Sequence, residues 1–355
     1  TGVMLSGMMV MGASATDFSD DSKIVNQEAV DASVALSIIN GRDDGTFDPE
    51  GLVTRAEMAK MIATAVNGGE APEFGVKATP TYTDIKGIWA EQYIEYCNNM
   101  KIIAGRGDGT FDPYGNVTGV EAAKMVLTAL GYNAEAYQLV GADWITNVNF
   151  QATRNCKPSL FEDLNKVNMN AAITRDTAAQ MIWNGLQNVY VEYTPTLQVT
   201  GGSLSHGYGP NAGNETLLEQ SYDAHITEAT FVNNKDTGNL KDGQISVSVK
   251  GSAKTITADL DIKYLGEKVK VLWKNSDPTA GTQNLDSTKD KIYGVYPTGD
   301  SQTVHATLAD VKSNKGTEAK IKIGDDKYDL DTTNGVEVTW NYTSSTKGET
   351  RSKKY

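Results

Sequence analysis

Two arginines stand at matching places in this chain. Arg55 lies in "LVTRAE" and Arg175 in "AITRDT", each directly after a threonine. Thr54 and Thr174 are N-cap residue types, so each arginine falls at the first helical position. Backbone N–H groups there lack helical partners and carry partial positive charge. A guanidinium beside such a terminus suits a carboxylate, which its planar fork can grip. A third copy of the string, "NVTGVE", has Gly119 where the others have arginine. The pattern describes an anion site written twice and lost once. Read blandly, a first-turn arginine is solvated or paired with a nearby carboxylate.

The elements that position these residues are repeats. A shift of 64 places lays Phe18 on Tyr82, Asp20 on Asp84, Gly41 on Gly105 and Arg42 on Arg106. The same shift carries "DGTFDP" from Asp44 onto "DGTFDP" from Asp108, and Thr54, Glu57, Lys60 and Met61 onto Thr118, Glu121, Lys124 and Met125. A weaker third copy ends in "AAITRDTAAQMIWNGL" and has lost the DGTF string. Self-similarity of this kind marks a repeat architecture. Each copy predicts helix, loop and helix. "WAEQYIEYCNNMKII" carries apolar residues at helical spacing, and Asp-Gly strings form turns. Phe47 and Phe111 are expected to plug the loop onto a core. Thr54 with Glu57, and Thr118 with Glu121, form capping boxes. So small a unit cannot bury its own apolar face, and packing against sibling units is expected.

These strings resemble the S-layer homology domain family. The resemblance rests on "FSD" and "YTD", "WAEQYI", "GRDDGTFDP" and "GRGDGTFDP", and "VTRAE", "VTGVE" and "ITRDT". It covers residues 16–190, about half the chain. It implies an all-α, pseudo-threefold bundle of three helix-loop-helix repeats whose grooves bind a pyruvylated secondary cell-wall polysaccharide without a covalent bond. The ketal of that sugar supplies a carboxylate for Arg55 and Arg175. Trp89 and Trp144 read either as sugar platforms or as core. Thr54 and Thr174 are caps first and ligand contacts second. Asp84 and Asp143 read as turn or capping groups or as ligand contacts. Gly41 and Gly105 complete the candidate set from the loop motif. With Gly119 in the second copy and a degenerate third loop, one or two working grooves are expected.

Composition narrows the rest. The chain has 355 residues, 39% hydrophobic and 22% charged, with a net charge of −13. Residues 16–190 hold 23 acidic and 13 basic side chains. That balance argues against nucleic acid and means an anionic partner needs a local device. Cys97 and Cys156, each in a stretch read as helix, are expected to be small buried apolar groups. Residues 1–15 are uncharged and end in Ala13-Ser14-Ala15, read as a partial secretory signal peptide. They are too short for a membrane span.

Several strings tempt other readings. Arg106-Gly107-Asp108 spells an adhesion tripeptide but is a product of the repeat. The Asp-rich loops lack the ligand spacing of an EF-hand. "GYGPNAG" is a poor dinucleotide fingerprint and reads as a loop. His206, His225 and His305 lack metal-like spacing, and no nucleophile motif appears. No catalytic group, metal or cofactor is assigned.

The chain divides as 16–75, 76–134 and 135–193 for the repeats, the third degenerate, and 194–355 for a β-rich sandwich or small barrel. In the last region Ile245, Val247 and Val249 alternate onto one face, as do Val336, Val338 and Trp340, with turns at Asp242-Gly243 and Asn334-Gly335. "GGSLSHGYGPNAGN" reads as a linker or long loop. The expectation is a non-enzymatic, secreted bacterial surface protein, S-layer-like, anchored to wall polysaccharide on peptidoglycan and open to self-association in a lattice. The alternative is an anchored glycan hydrolase or adhesin whose active module lies in or beyond the C-terminal half.

Overall fold

The computed structural model describes residues 18–73, 77–200, 203–236, 238–276, 284–285 and 289–299, with strand segments between 311 and 354. The expected signal segment lies outside them. One compact unit runs over Ala15–Ile226 and Leu272–Gln283, another over Thr227–Val271 and Asn284–Tyr355.

The first unit is helical up to residue 186. It contains α1 (Gln27–Ala35), α2 (Arg55–Val66), α3 (Glu91–Asn99), α4 (Gly119–Ala129), α5 (Trp144–Phe150) and α6 (Arg175–Leu186). A π-helical turn, Gln151–Asn155, extends α5. Cys156 follows it in extended conformation, one step beyond the helix that the sequence suggested. Both cysteines are free and buried. Capping boxes open α2 and α4 as their sequences require: Thr54 accepts from the Glu57 N–H while Glu57 accepts from the Thr54 N–H at 2.9 Å. Thr174 caps α6 through the Thr177 N–H, with no glutamate to close the box.

Each strong copy holds its loop in the same way. Asp20 accepts from the N–H groups of Phe47 and Asp48 at 2.7 and 2.9 Å. Asp84 does the same for Phe111 and Asp112 at 2.8 and 2.7 Å. The phenylalanines are fully buried, and their rings lie 5.5 Å from Phe18 and Tyr82 respectively. Gly41 admits the Phe18 ring, since a Cβ there would come within 2.5 Å of it; Gly105 admits Tyr82 likewise. Residues 158–162 are held instead by amides on and just beyond α6. Asn184 donates to the carbonyls of Leu160 and Glu162, and Asn188 to that of Pro158.

Three segments of the helical unit exchange main-chain bonds in a closed ring. The Val53 N–H donates to the Ile173 carbonyl, Ile173 to Val117, and Val117 back to Val53, at 3.0, 3.1 and 3.0 Å. Isolated bridges join Leu52 to Thr174, Thr54 to Asn116 and Thr118 to Ala172.

After α6 comes a hairpin of β1 (Val189–Thr200) and β2 (Ser203–Thr216), antiparallel, followed by α7 (Leu217–Tyr222). The stretch expected as a linker is thus mostly strand. Thr200 pairs with Ser203, and ladder bonds can hold a ribbon without an apolar alternation. α7 packs on α2: Tyr222 donates to the Thr64 carbonyl and Ser221 to that of Val66, both at 3.4 Å.

β3 (Ala224–Asn233), β4 (Gln244–Val249), β5 (Ser252–Thr257), β6 (Lys268–Lys274) and β7 (Lys291–Pro297) form one sheet in the order β5-β4-β3-β6-β7. Lys250 and Gly251, at φ of 49° and 80°, make the two-residue turn between β4 and β5. Gly243 has φ of 70°, as the expected Asp-Gly turn requires. Ile245 and Val247 are fully buried, whereas Val249 is half-exposed at the strand end. β8 (Val311–Ser313), β9 (Lys320–Ile323) and β10 (Asp326–Asp329) form a three-stranded sheet, and β11 (Glu337–Ser344) and β12 (Lys347–Lys354) a hairpin. Val336, Asn334 and Gly335 lie outside the described residues; Val338 and Trp340 are described by backbone alone. Among the described residues, no helix is long and apolar enough to cross a membrane.

Candidate functional site

Two cavities in the helical unit are lined by corresponding residues. The first encloses about 270 Å³ and takes Asn40, Gly41, Arg42, Glu57, Lys60 and Met61 from the first copy, Trp89 from the second and Arg175 from the third. The second encloses about 150 Å³ and takes Ala104, Gly105, Arg106, Glu121, Lys124 and Met125 from the second copy, Trp144 from the third and Arg55 from the first. Each cavity therefore combines a Gly-Arg loop with a tryptophan and an arginine distant from it in sequence. The backbone ring fixes that combination.

Arg175 is 4% exposed. Its Nε donates to the Phe47 carbonyl and its Nη2 to that of Asn40, both at 2.9 Å. Its guanidinium lies 5.0 Å from the Phe47 ring centroid. Arg55, 7% exposed, repeats this with Phe111 and Ala104, at 2.9 and 3.0 Å. Among the described residues neither arginine pairs with a carboxylate, and neither Nη1 has a partner. Burial draws both guanidinium pKa values down, with Arg42 adding repulsion at Arg175 and Arg106 at Arg55. Fixed cations of this kind, bonded only to carbonyls, retain a full charge for a ligand.

The helix ends do not hold free N–H groups, contrary to the sequence reading. The N–H groups of Arg55 and Ala56 donate to the carbonyls of Gly115 and Pro113; those of Gly119 and Val120 to Ala171 and Met169; those of Arg175 and Asp176 to Gly51 and Pro49. The neighbouring copy satisfies each end. The attraction for an anion consequently comes from side chains.

The other cations differ in state. Arg42 is paired with Asp48 and Glu57 at 3.1 and 3.2 Å, and Arg106 with Asp112 and Glu121 at 2.9 and 3.2 Å. This use of Arg106 occupies the arginine of the Arg-Gly-Asp string. The Lys60 and Lys124 ammoniums lie 6.0 and 5.4 Å from the ring centroids of Trp89 and Trp144, within cation–π range. Burial lowers the Lys124 pKa, opposed by Glu121. Each lining holds three cations against one carboxylate, in a unit that is acidic as a whole.

Of the residues singled out by sequence, Gly41, Trp89 and Arg175 meet in the first cavity, and Gly105, Trp144 and Arg55 in the second. Trp89 is 52% exposed and so presents a face to solvent. Thr54, Thr174 and Asp84 line neither cavity and serve the caps and the loop described above. Asp143 precedes α5, is exposed and makes no side-chain cap bond. Sequence reasoning passed over Arg42, Arg106, Lys60 and Lys124 as site residues, although the 64-residue shift preserves all four. Among the described residues, no group of three metal-ligating side chains is assembled.

A third groove would need its arginine at Gly119. The offset that carries Trp89 back one copy lands on Val25, 82% exposed. Loop, tryptophan and arginine are thus all missing from the same place.

The family model of the S-layer homology domain matches residues 17–59 and 81–123, the two strong copies at the same offset. The chain is similar to a surface layer protein of Brevibacillus choshinensis, 22% identical over 94% of this chain and 31% of that one. It is also similar to a surface-layer 125 kDa protein of Lysinibacillus sphaericus, 26% identical over 93% of this chain and 29% of that one. A shorter similarity, 30% identical over 27% of the chain and 17% of the relative, is to an uncharacterised cell wall amidase of Bacillus anthracis. The chain spans less than a third of the length of these relatives.

Proposed function

We propose that this chain is an S-layer-like surface protein held at the bacterial cell wall, without a covalent bond, by its helical unit. In this reading residues 16–190 form a pseudo-threefold anchor of three repeats, the third degenerate, with two working cavities. The ligand is a secondary wall polysaccharide bearing pyruvate ketals. Its carboxylate meets Arg175 in one cavity and Arg55 in the other, while the sugar ring lies on Trp89 or Trp144. The chain needs no catalytic step, and its β-rich part serves assembly at the surface.

One observation carries the reading. A buried guanidinium with no carboxylate partner among the described residues stands with a tryptophan and a lysine in each of two cavities, on a chain of net charge −13. Long-range attraction for an acidic polymer is absent, so binding depends on these local cations. The match to the S-layer homology domain and the surface-layer relatives support the same assignment.

The test is co-sedimentation of the full chain with purified wall sacculi. Sediment should form with intact walls and be lost once the polymer is extracted or its ketals are removed. Equal binding to extracted walls would overturn the proposal.

A further inference from the structure

The two cavities differ at one lining position among those that correspond. Gly41, Arg42, Glu57, Lys60 and Met61 recur as Gly105, Arg106, Glu121, Lys124 and Met125, but Asn40 becomes Ala104. Both positions are exposed, and both give their main-chain carbonyl to the arginine of the cavity. The Asn40 carboxamide therefore sits on the residue that orients Arg175, and it makes no hydrogen bond among the described residues. A carboxamide both donates and accepts; the Ala104 methyl does neither. The cavity containing Asn40 is also the larger, about 270 Å³ against about 150 Å³.

We propose that Asn40 is a specificity-determining residue that makes the first cavity the stronger of two unequal sites. Resting on the anionic-sugar reading above, the inference assigns the carboxamide to a hydroxyl or ketal oxygen of the sugar whose carboxylate Arg175 holds. The second cavity, with Ala104 at that place, lacks this hydrogen bond. A chain with one stronger and one weaker site can stay attached by the first while the second releases and rebinds along the polymer, the usual consequence of linked sites.

The test follows each cavity separately in the full chain. The sequence has five tryptophans, so indole ¹⁵N labelling gives one signal for each, and W89F and W144F assign the two that matter. Buried Trp183 reports on the fold. The probe is the pyruvyl ketal of a methyl hexopyranoside. Saturation of the Trp89 signal is expected at about three- to tenfold lower concentration than that of Trp144, the range of one net hydrogen bond. N40A should remove that advantage without moving the Trp144 curve, and A104N should tighten the Trp144 curve by a similar factor. The proposal is overturned if both cavities respond and the two substitutions leave both curves in place. If neither indole responds to the ketal, the anionic-sugar reading itself fails, and this inference falls with it.

Discussion

Met169 closes over Gly119. A Cβ on that glycine would lie 2.6 Å from the Met169 sulfur and 2.8 Å from its Cα, while the Val120 N–H donates to the Met169 carbonyl at 2.8 Å. The place of the missing arginine is therefore filled by backbone of the third copy. Placing at this position the arginine found at Arg55 and Arg175, Gly119→Arg, should lower stability by about 1–3 kcal/mol, as overpacking does. It should also add no binding event: the stoichiometry for the ketal probe stays at two by calorimetry, and the urea midpoint falls.

The arginines have two duties that separate experimentally. Arg175→Ala removes the partner of the buried Phe47 carbonyl and of the Asn40 carbonyl and should cost about 1–3 kcal/mol of stability. It should also abolish the response of Trp89 to ligand while leaving that of Trp144 intact. Arg55→Ala should do the reverse. The double variant, checked as folded by circular dichroism, should no longer sediment with walls.

Asp84 lies outside both cavities yet holds the loop that builds one of them. Its carboxylate takes two N–H groups, one of them on fully buried Phe111. Asp84→Ala should destabilise the chain by about 2–4 kcal/mol. Ligand affinity in the second cavity should weaken more than in the first, read from the same two indole signals. Asp20→Ala should invert that order.

Acid should loosen the helix starts. Burial raises the Glu57 and Glu121 pKa values, but the backbone and side-chain bonds from Thr54 and Thr118, with Arg42, Arg55 and Arg106 nearby, bring them below 4.5 overall. A carboxylate depressed in the folded state stabilises above its unfolded pKa, and that contribution disappears as pH falls through the folded value. Urea midpoints should hold steady down to about pH 4.5 and decline below it. The E57Q/E121Q double variant should start lower and show a flatter decline.

Much of the helical unit was legible because side-chain identity records it. The capping boxes and the buried phenylalanines follow from local residue types and spacings, as does the Gly243 turn in the β region. The hairpin β1–β2 did not announce itself, because a glycine-rich ribbon held by main-chain ladders needs no alternating apolar side chains. The helix N-termini misled for a related reason. Their partners are carbonyls of residues such as Gly115 and Gly51, and a carbonyl is present at every position whatever the side chain.

By itself the sequence determined that Arg55 and Arg175 are equivalent, that Gly119 departs from them, and that Lys60 and Lys124 travel with the repeat. Only the tertiary structure decided that Arg175 shares a cavity with Trp89, and Arg55 with Trp144. That pairing arises from the closed exchange among Val53, Ile173 and Val117. A cyclic order of backbone bonds is a property of packed chains, which no linear spacing of residues contains.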